Sequence, residues 1–214
     1  MRSEQEVKAD LISALETEGD APLERLGFKR RKGSLNYIRS LGDTRQTIAF
    51  DGDFFPKYQP GAEIHIHPAM HLSIKSVSDA ALKLVGGNKM LLANAPDIIL
   101  NQPIEFTAPK DTHVRWFANG FTEMNQRVVE IISFIEEWVI PFFDGLKSPE
   151  ELIKAYETND QRIMKQRHWY LFIAGAEIIQ GNPKEALAVL ETNFSAPGLR
   201  KRYSVAFESL ALKP

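Results

Sequence analysis

The amino-acid sequence predicts an α+β fold: an antiparallel sheet of four to five strands packed on helices, followed by a helical C-terminal extension. Three observations predict it. Segments with a two-residue hydrophobic period all lie before residue 119, the period becomes 3.6 from residue 122 onward, and loops as short as Gly42-Asp43 join the strand-like segments. Strands first and helices last is the α+β order, because parallel α/β folds alternate the two. Short loops join antiparallel neighbours, since a parallel pair needs a long crossover. The change of period divides the chain into an α+β domain over 1–145 and a helical extension over 146–214.

Ser3 and Glu6 have the spacing of a capping box ahead of Val7, Leu11, Ile12 and Leu15, which recur on one helical face and predict a helix over 4–18. The stretch GDAP interrupts it, and Leu23 to Gly27 then lead into the basic run Lys29-Arg30-Arg31-Lys32, read as a solvated turn. Strands are predicted over 35–41, 45–51, 62–75 and 112–118. DIILNQPIEFTA adds a weaker fifth, since Pro103 cannot donate to a ladder. Between them SDAALKLVGG and NKMLLANA read as short helices, closed by Gly86-Gly87 and by Pro96.

Val128, Ile131, Ile132, Ile135, Trp138 and Val139 share one face of a helix over 122–140, which Pro141 ends or kinks. Ser148-Pro149 with Glu151, and Asn182-Pro183 with Glu185, repeat one start signature: a cap, a proline in the first turn, and a carboxylate reaching back. The segment HWYLFIAGAEIIQGNPKEALAVLE resembles one tetratricopeptide-type unit, with Trp169, Phe172, Ile173, Ala176 and Ile179 in a stripe and Gly175-Ala176 allowing close helix approach. A repeat array needs about three units, so the segment is read as a packed helical hairpin. A last helix covers 198–212.

The net charge of −2 argues against a protein built to hold nucleic acid. The 16 basic and 20 acidic residues before residue 145 make that part the better surface for a basic protein partner. There is no cysteine, which excludes disulfides, thiolate ligands and a cysteine nucleophile. The first ten residues carry no apolar signal core and no stretch reaches the roughly 18 apolar residues of a membrane helix, so a cytoplasmic protein without a membrane partner is expected.

Residues 63 to 71 read EIHIHPAMH. In a strand, Ile64, Ile66, Pro68, Met70, Leu72 and Ile74 point one way, and Glu63, His65, His67 and His71 point the other. Alternate residues are about 6.5–7 Å apart, so His65 and His67 can in principle grip one divalent ion with His71 or a neighbouring Asp51 or Asp53. Two known metal folds with the H-x-H pair fail on their other parts: a cupin needs later spaced glycine, glutamate and histidine, and a metallo-β-lactamase continues into D-H. Here Pro68-Ala69 follows, with only His113 and His168 later. In DGDFFPKYQPG, Asp51, Asp53, Phe54, Phe55 and Tyr58 are presented among Gly and Pro, as a lid on the core or as a protein contact. No G-x-S-x-G, phosphate-binding loop, G-x-G-x-x-G or H-E-x-x-H is present.

The run from LERLGFKRRKGSLNYIRS through QTIAFD and VRWFANG to IISFIEEWVIPFFDGLKSPEEL resembles the bacterial domain-of-unknown-function family 4304 over about 8–155. That resemblance implies a compact α+β binding domain and supplies no catalytic residues. The expected function is a non-enzymatic protein-binding module without a cofactor, by class analogy an immunity protein that neutralises a basic toxin domain through Asp51, Asp53, Phe54, Phe55 and Tyr58. Two alternatives stand beside it: a metal-dependent hydrolase using one divalent ion on His65, His67 and His71, and a structural subunit that uses the C-terminal hairpin as its platform.

Overall fold

The computed structural model describes residues 2–112 and 114–211, so His113, within the strand expected over 112–118, lies outside the described residues. Helix α1 (Glu4–Ala14) starts at the expected box: the Ser3 hydroxyl accepts from the Glu6 amide at 3.3 Å, and Glu6 accepts from the Ser3 amide at 2.7 Å. The helical path does not stop at GDAP. A π-helical turn (Leu15–Gly19) leads into α2 (Asp20–Arg25). Much later α4 (Gly120–Phe134) passes through a second π turn (Ile135–Val139) into α5 (Ile140–Asp144). Each π turn precedes a proline by two or three residues, Pro22 and Pro141. Proline lacks an amide hydrogen and its ring crowds the carbonyl four residues back; a wider turn relieves both, and the helical path continues past Pro22, where an interruption is expected, and past Pro141, where an end or a kink is expected.

Among the described residues the sheet has six strands: β1 (Lys29–Arg30), β2 (Asn36–Leu41), β3 (Thr44–Phe54), β4 (Ile64–Ile74), β5 (Leu100–Pro103) and β6 (Trp116–Ala118). They lie in the order β1-β2-β3-β4-β5, with β6 also pairing β4. The antiparallel β4–β6 register sets Ile64 opposite Ala118, His65 opposite Phe117 and Ile66 opposite Trp116. Gly42, at φ +60°, makes the two-residue turn between β2 and β3. β1 is the strand missing from the sequence reading. It arises from the basic run, whose Arg30 is no solvated turn residue: its side chain is 3% exposed and donates to both Asp20 carboxylate oxygens at 2.8 Å. Along β4 burial alternates without a break, every even position buried and every odd position half-buried from 65 to 73.

The chain divides into two compact units, each discontinuous in sequence. The first comprises Met1–Ser40, Arg45–His71 and Asn101–Asp144; the second comprises Leu41–Thr44, Leu72–Leu100 and Gly145–Pro214. In the first, α1 packs on α4, and Val7, Leu11, Ile48, Phe50, Ile64, Ile66, Met124, Val128 and Ile131 are wholly buried. The Trp116 ring meets Phe134 edge-on at 5.6 Å. The buried Arg39 donates to Gln46 (2.7 Å), the Leu26 carbonyl (3.2 Å) and Asp144 (3.0 Å), and Gln46 donates to the Phe143 carbonyl (3.1 Å), so the end of α5 is tied to β2 and β3.

The second unit contains α3 (Lys75–Leu84), a 3₁₀ turn (Lys89–Leu92), α6 (Pro149–Glu157), α7 (Trp169–Ile179), α8 (Pro183–Phe194), α9 (Pro197–Arg202) and α10 (Ser204–Ala211). Helix α7 packs against α3, α6 and α8. Trp169, Leu171, Phe172 and Ile173 are each at most 1% exposed, and burying such side chains stabilises by roughly 1.5–3 kcal/mol apiece. Ile179 departs from the expected stripe, at 39% exposed. A Cβ on Gly175 would stand 3.0 Å from the Ala81 amide nitrogen and 3.1 Å from the Val77 carbonyl, so the close approach read from Gly175-Ala176 is made with α3. Ser148 caps α6 as expected, whereas the Asn182 side chain donates to Glu177 at 3.1 Å and leaves α8 without a side-chain cap. No helix among the described residues is long and apolar enough to cross a membrane.

Candidate functional site

The odd face of β4 carries the imidazoles because the even positions are committed to the core. Cross-strand pairing sets His65 opposite Phe117, and their rings stack with centroids 4.5 Å apart and planes 28° apart. Phe55 leaves β3 in the left-handed region at φ +49°, a conformation bulky residues rarely adopt, and its amide donates to the Glu63 carbonyl at 2.8 Å. That contact returns the loop between β3 and β4 toward the sheet. It sets Tyr58 against His65 and Phe117, its ring at a steep angle to both. The Tyr58 hydroxyl lies 2.7 Å from Asp53 Oδ2 and 2.8 Å from His65 Nδ1.

His67 completes the group. Its ring stands 5.6 Å from that of His65, and its Nε2 lies 3.4 Å from Asp53 Oδ1, within ion-pair range without hydrogen-bond alignment. The hydrogen bond from Tyr58 holds the Asp53 carboxyl below the usual carboxylate range. The same carboxylate pushes the Tyr58 hydroxyl above its ordinary value. Burial, then the neighbouring His67, pushes the His65 imidazole down, which favours its neutral form. Behind the group, Glu63 accepts from Arg2 at 2.6 Å and from the Gly120 amide at 3.1 Å, and Arg127 donates to the Phe117 carbonyl at 3.0 Å. A cleft of about 680 Å³ adjoins the loop, lined by Arg2, Phe55, Pro56, Lys57, Pro60 and Glu63 among others.

The residues singled out in the sequence are divided among three places. Asp53 and Tyr58 are bonded to one another. Asp51 is exposed, with His71 rather than the His65 pair in its field. Phe55 lines the cleft, while Phe54 is half-buried, on the opposite side of β3 from Asp53 by strand parity. The expected metal triad is not assembled. His71 is four residues beyond His67, roughly 13 Å along an extended strand, and its neighbours are Asp51, Asn101 and Arg45. Among the described residues no group of three or more His, Asp or Glu side chains is disposed to hold a metal ion. Phe117 escaped the sequence reading, although the alternation of Trp116 and Phe117 across a short strand was the available signal; Arg2 and Arg127 gave no local signal.

The chain matches no family model, and neither the curated proteins nor the solved structures yield a significant similarity.

Proposed function

We propose that the protein is a non-enzymatic protein-binding module whose contact face is formed by Tyr58, Asp53, His65 and Phe117. One observation carries this reading. Tyr58 is 56% exposed, yet its hydroxyl is engaged by Asp53 and His65 and its ring by His65 and Phe117. An exposed, immobilised tyrosine beside a carboxylate is the kind of anchor that dominates protein interfaces. The exposed carboxylates Asp51 and Asp53 favour a basic partner surface, and the class analogy drawn above names a toxin domain as that partner.

The test is co-expression with the products of the adjacent genes. A one-to-one complex that survives size exclusion is expected, weakened at least tenfold in the Tyr58→Ala and Asp53→Lys variants, on the scale of an interface anchor. Where the partner is toxic, protection of growth falls in parallel. Unchanged affinity in both variants, or growth arrest that is the same with and without the protein, overturns the reading.

A further inference from the structure

The second unit holds a recess that the contact face does not use, set between the 3₁₀ turn after α3, the start of α7 and the end of α9. Arg167, His168, Arg202 and Tyr203 line it together with Met90, Leu91 and Ala93, around roughly 290 Å³. Among the described residues no carboxylate lines it. Arg167 and Arg202 are exposed and make no ion pair with any described residue, in contrast to Arg162 in the same unit, which holds Asp160 at 2.7 Å. The Arg202 guanidinium lies 5.7 Å from the Tyr203 ring centre, which orients it over the buried aromatic. His168 is half-buried with its ring edge-on to Phe172 at 6.1 Å.

We propose that this recess binds a small phosphate monoester. Two guanidinium groups without an ion-pair partner among the described residues are an excess of donors, and their planar forks match a phosphate oxyanion better than a neutral ligand. The imidazole of His168, also in the lining, supplies a third donor, and α7, which begins at Trp169, starts at this recess with the positive end of its peptide dipoles. Met90 and Leu91 give the lining an apolar part. Met90, 71% exposed, carries a flexible thioether suited to an organic substituent of variable shape. Ala93, also at the recess, is held at φ +53°, a backbone conformation that costs a non-glycine residue energy and recurs at binding sites. The volume accommodates a phosphate with one ring or short chain, and is too small for a dinucleotide.

The experiment titrates the full chain calorimetrically with inorganic phosphate and with phenyl phosphate at constant ionic strength. One saturable site is expected for both, with phenyl phosphate the tighter ligand by roughly threefold or more for its added apolar contact. Changing both Arg167→Gln and Arg202→Gln weakens each ligand by roughly a hundredfold, about tenfold for each lost charge-assisted contact. Both arginines are exposed, so the thermal midpoint stays where it was. Absence of saturation at about 10 mM ligand, well above the expected range for a two-arginine site, overturns the proposal, as does undiminished binding in the double variant. Equal affinity for the two ligands overturns the assignment of a monoester.

Discussion

The hydroxyl of Tyr58 lies 2.8 Å from Nδ1 of His65, with the two rings nearly perpendicular at 85°. The same hydroxyl meets Asp53, so one oxygen links an acid and a base on different strands. The Tyr58→Phe variant keeps the ring and removes that oxygen. The Asp53 carboxyl, held low chiefly by this hydrogen bond, is expected to titrate at higher pH in the variant. Carboxyl chemical shifts followed by NMR over an acid titration measure it, and an unchanged Asp53 midpoint contradicts the hydrogen bond described.

His65 and His71 are both pushed below the ordinary histidine value of 6.5, burial being the largest cause in each. When the folded pKa is the lower one, the unfolded chain holds more protons between the two values, so acid favours unfolding. Their contribution is complete above pH 6.5 and is lost as pH falls through the folded values. The urea midpoint is expected to decrease from pH 7.5 to pH 5.5, and to decrease less in His65→Asn and His71→Asn. A loss of the same size in all three proteins rules these imidazoles out as its source.

Gly175 of α7 has backbone of α3, not a yielding side chain, where its Cβ would go. Gly175→Ala gains up to about 1 kcal/mol of helix propensity and incurs about 1–3 kcal/mol of overpacking. The overpacking term is expected to prevail, because both close atoms are backbone of α3, whose Val77 and Ala81 are buried there. Thermal unfolding should therefore show a midpoint lowered by several degrees; a raised midpoint would mean the helices separate without cost.

Ser78 of α3 is buried, and its hydroxyl finds no hydrogen-bond partner among the described residues. Ser78→Ala removes a desolvated polar atom and improves helix propensity, so stabilisation by about 1 kcal/mol is expected from a substitution that deletes atoms from the interior. Chemical denaturation of the variant checks the sign, and destabilisation would place an unrecorded partner at that hydroxyl.

The strands from β2 to β4 and most helix starts were legible because their signals are local. β4 alternates residue by residue, and Ser3 and Ser148 act within one turn of their helices. The stretch around Pro22 misled, and Pro141 left an end and a kink both open, because a π turn is a cooperative adjustment of the helix, without a residue type of its own. The site was half legible for a related reason. Parity placed His65 and His67 together, but only the pairing of β4 with β6 brings Phe117 to His65, and only the loop that begins with the left-handed step at Phe55 brings Tyr58 to the same imidazole. Arg167 and Arg202 stand 35 positions apart in sequence, a distance over which no pattern of spacing connects two side chains.

The hold on Tyr58 also bears on the kinetics of recognition. An exposed tyrosine normally loses rotamer freedom when a partner arrives, at about 0.5–1.5 kcal/mol for each side chain immobilised. Here Asp53, His65 and Phe117 impose that loss during folding, before any encounter. A complex formed on this face would therefore owe its persistence to slow dissociation, with the rate of encounter left to the exposed carboxylates beside it.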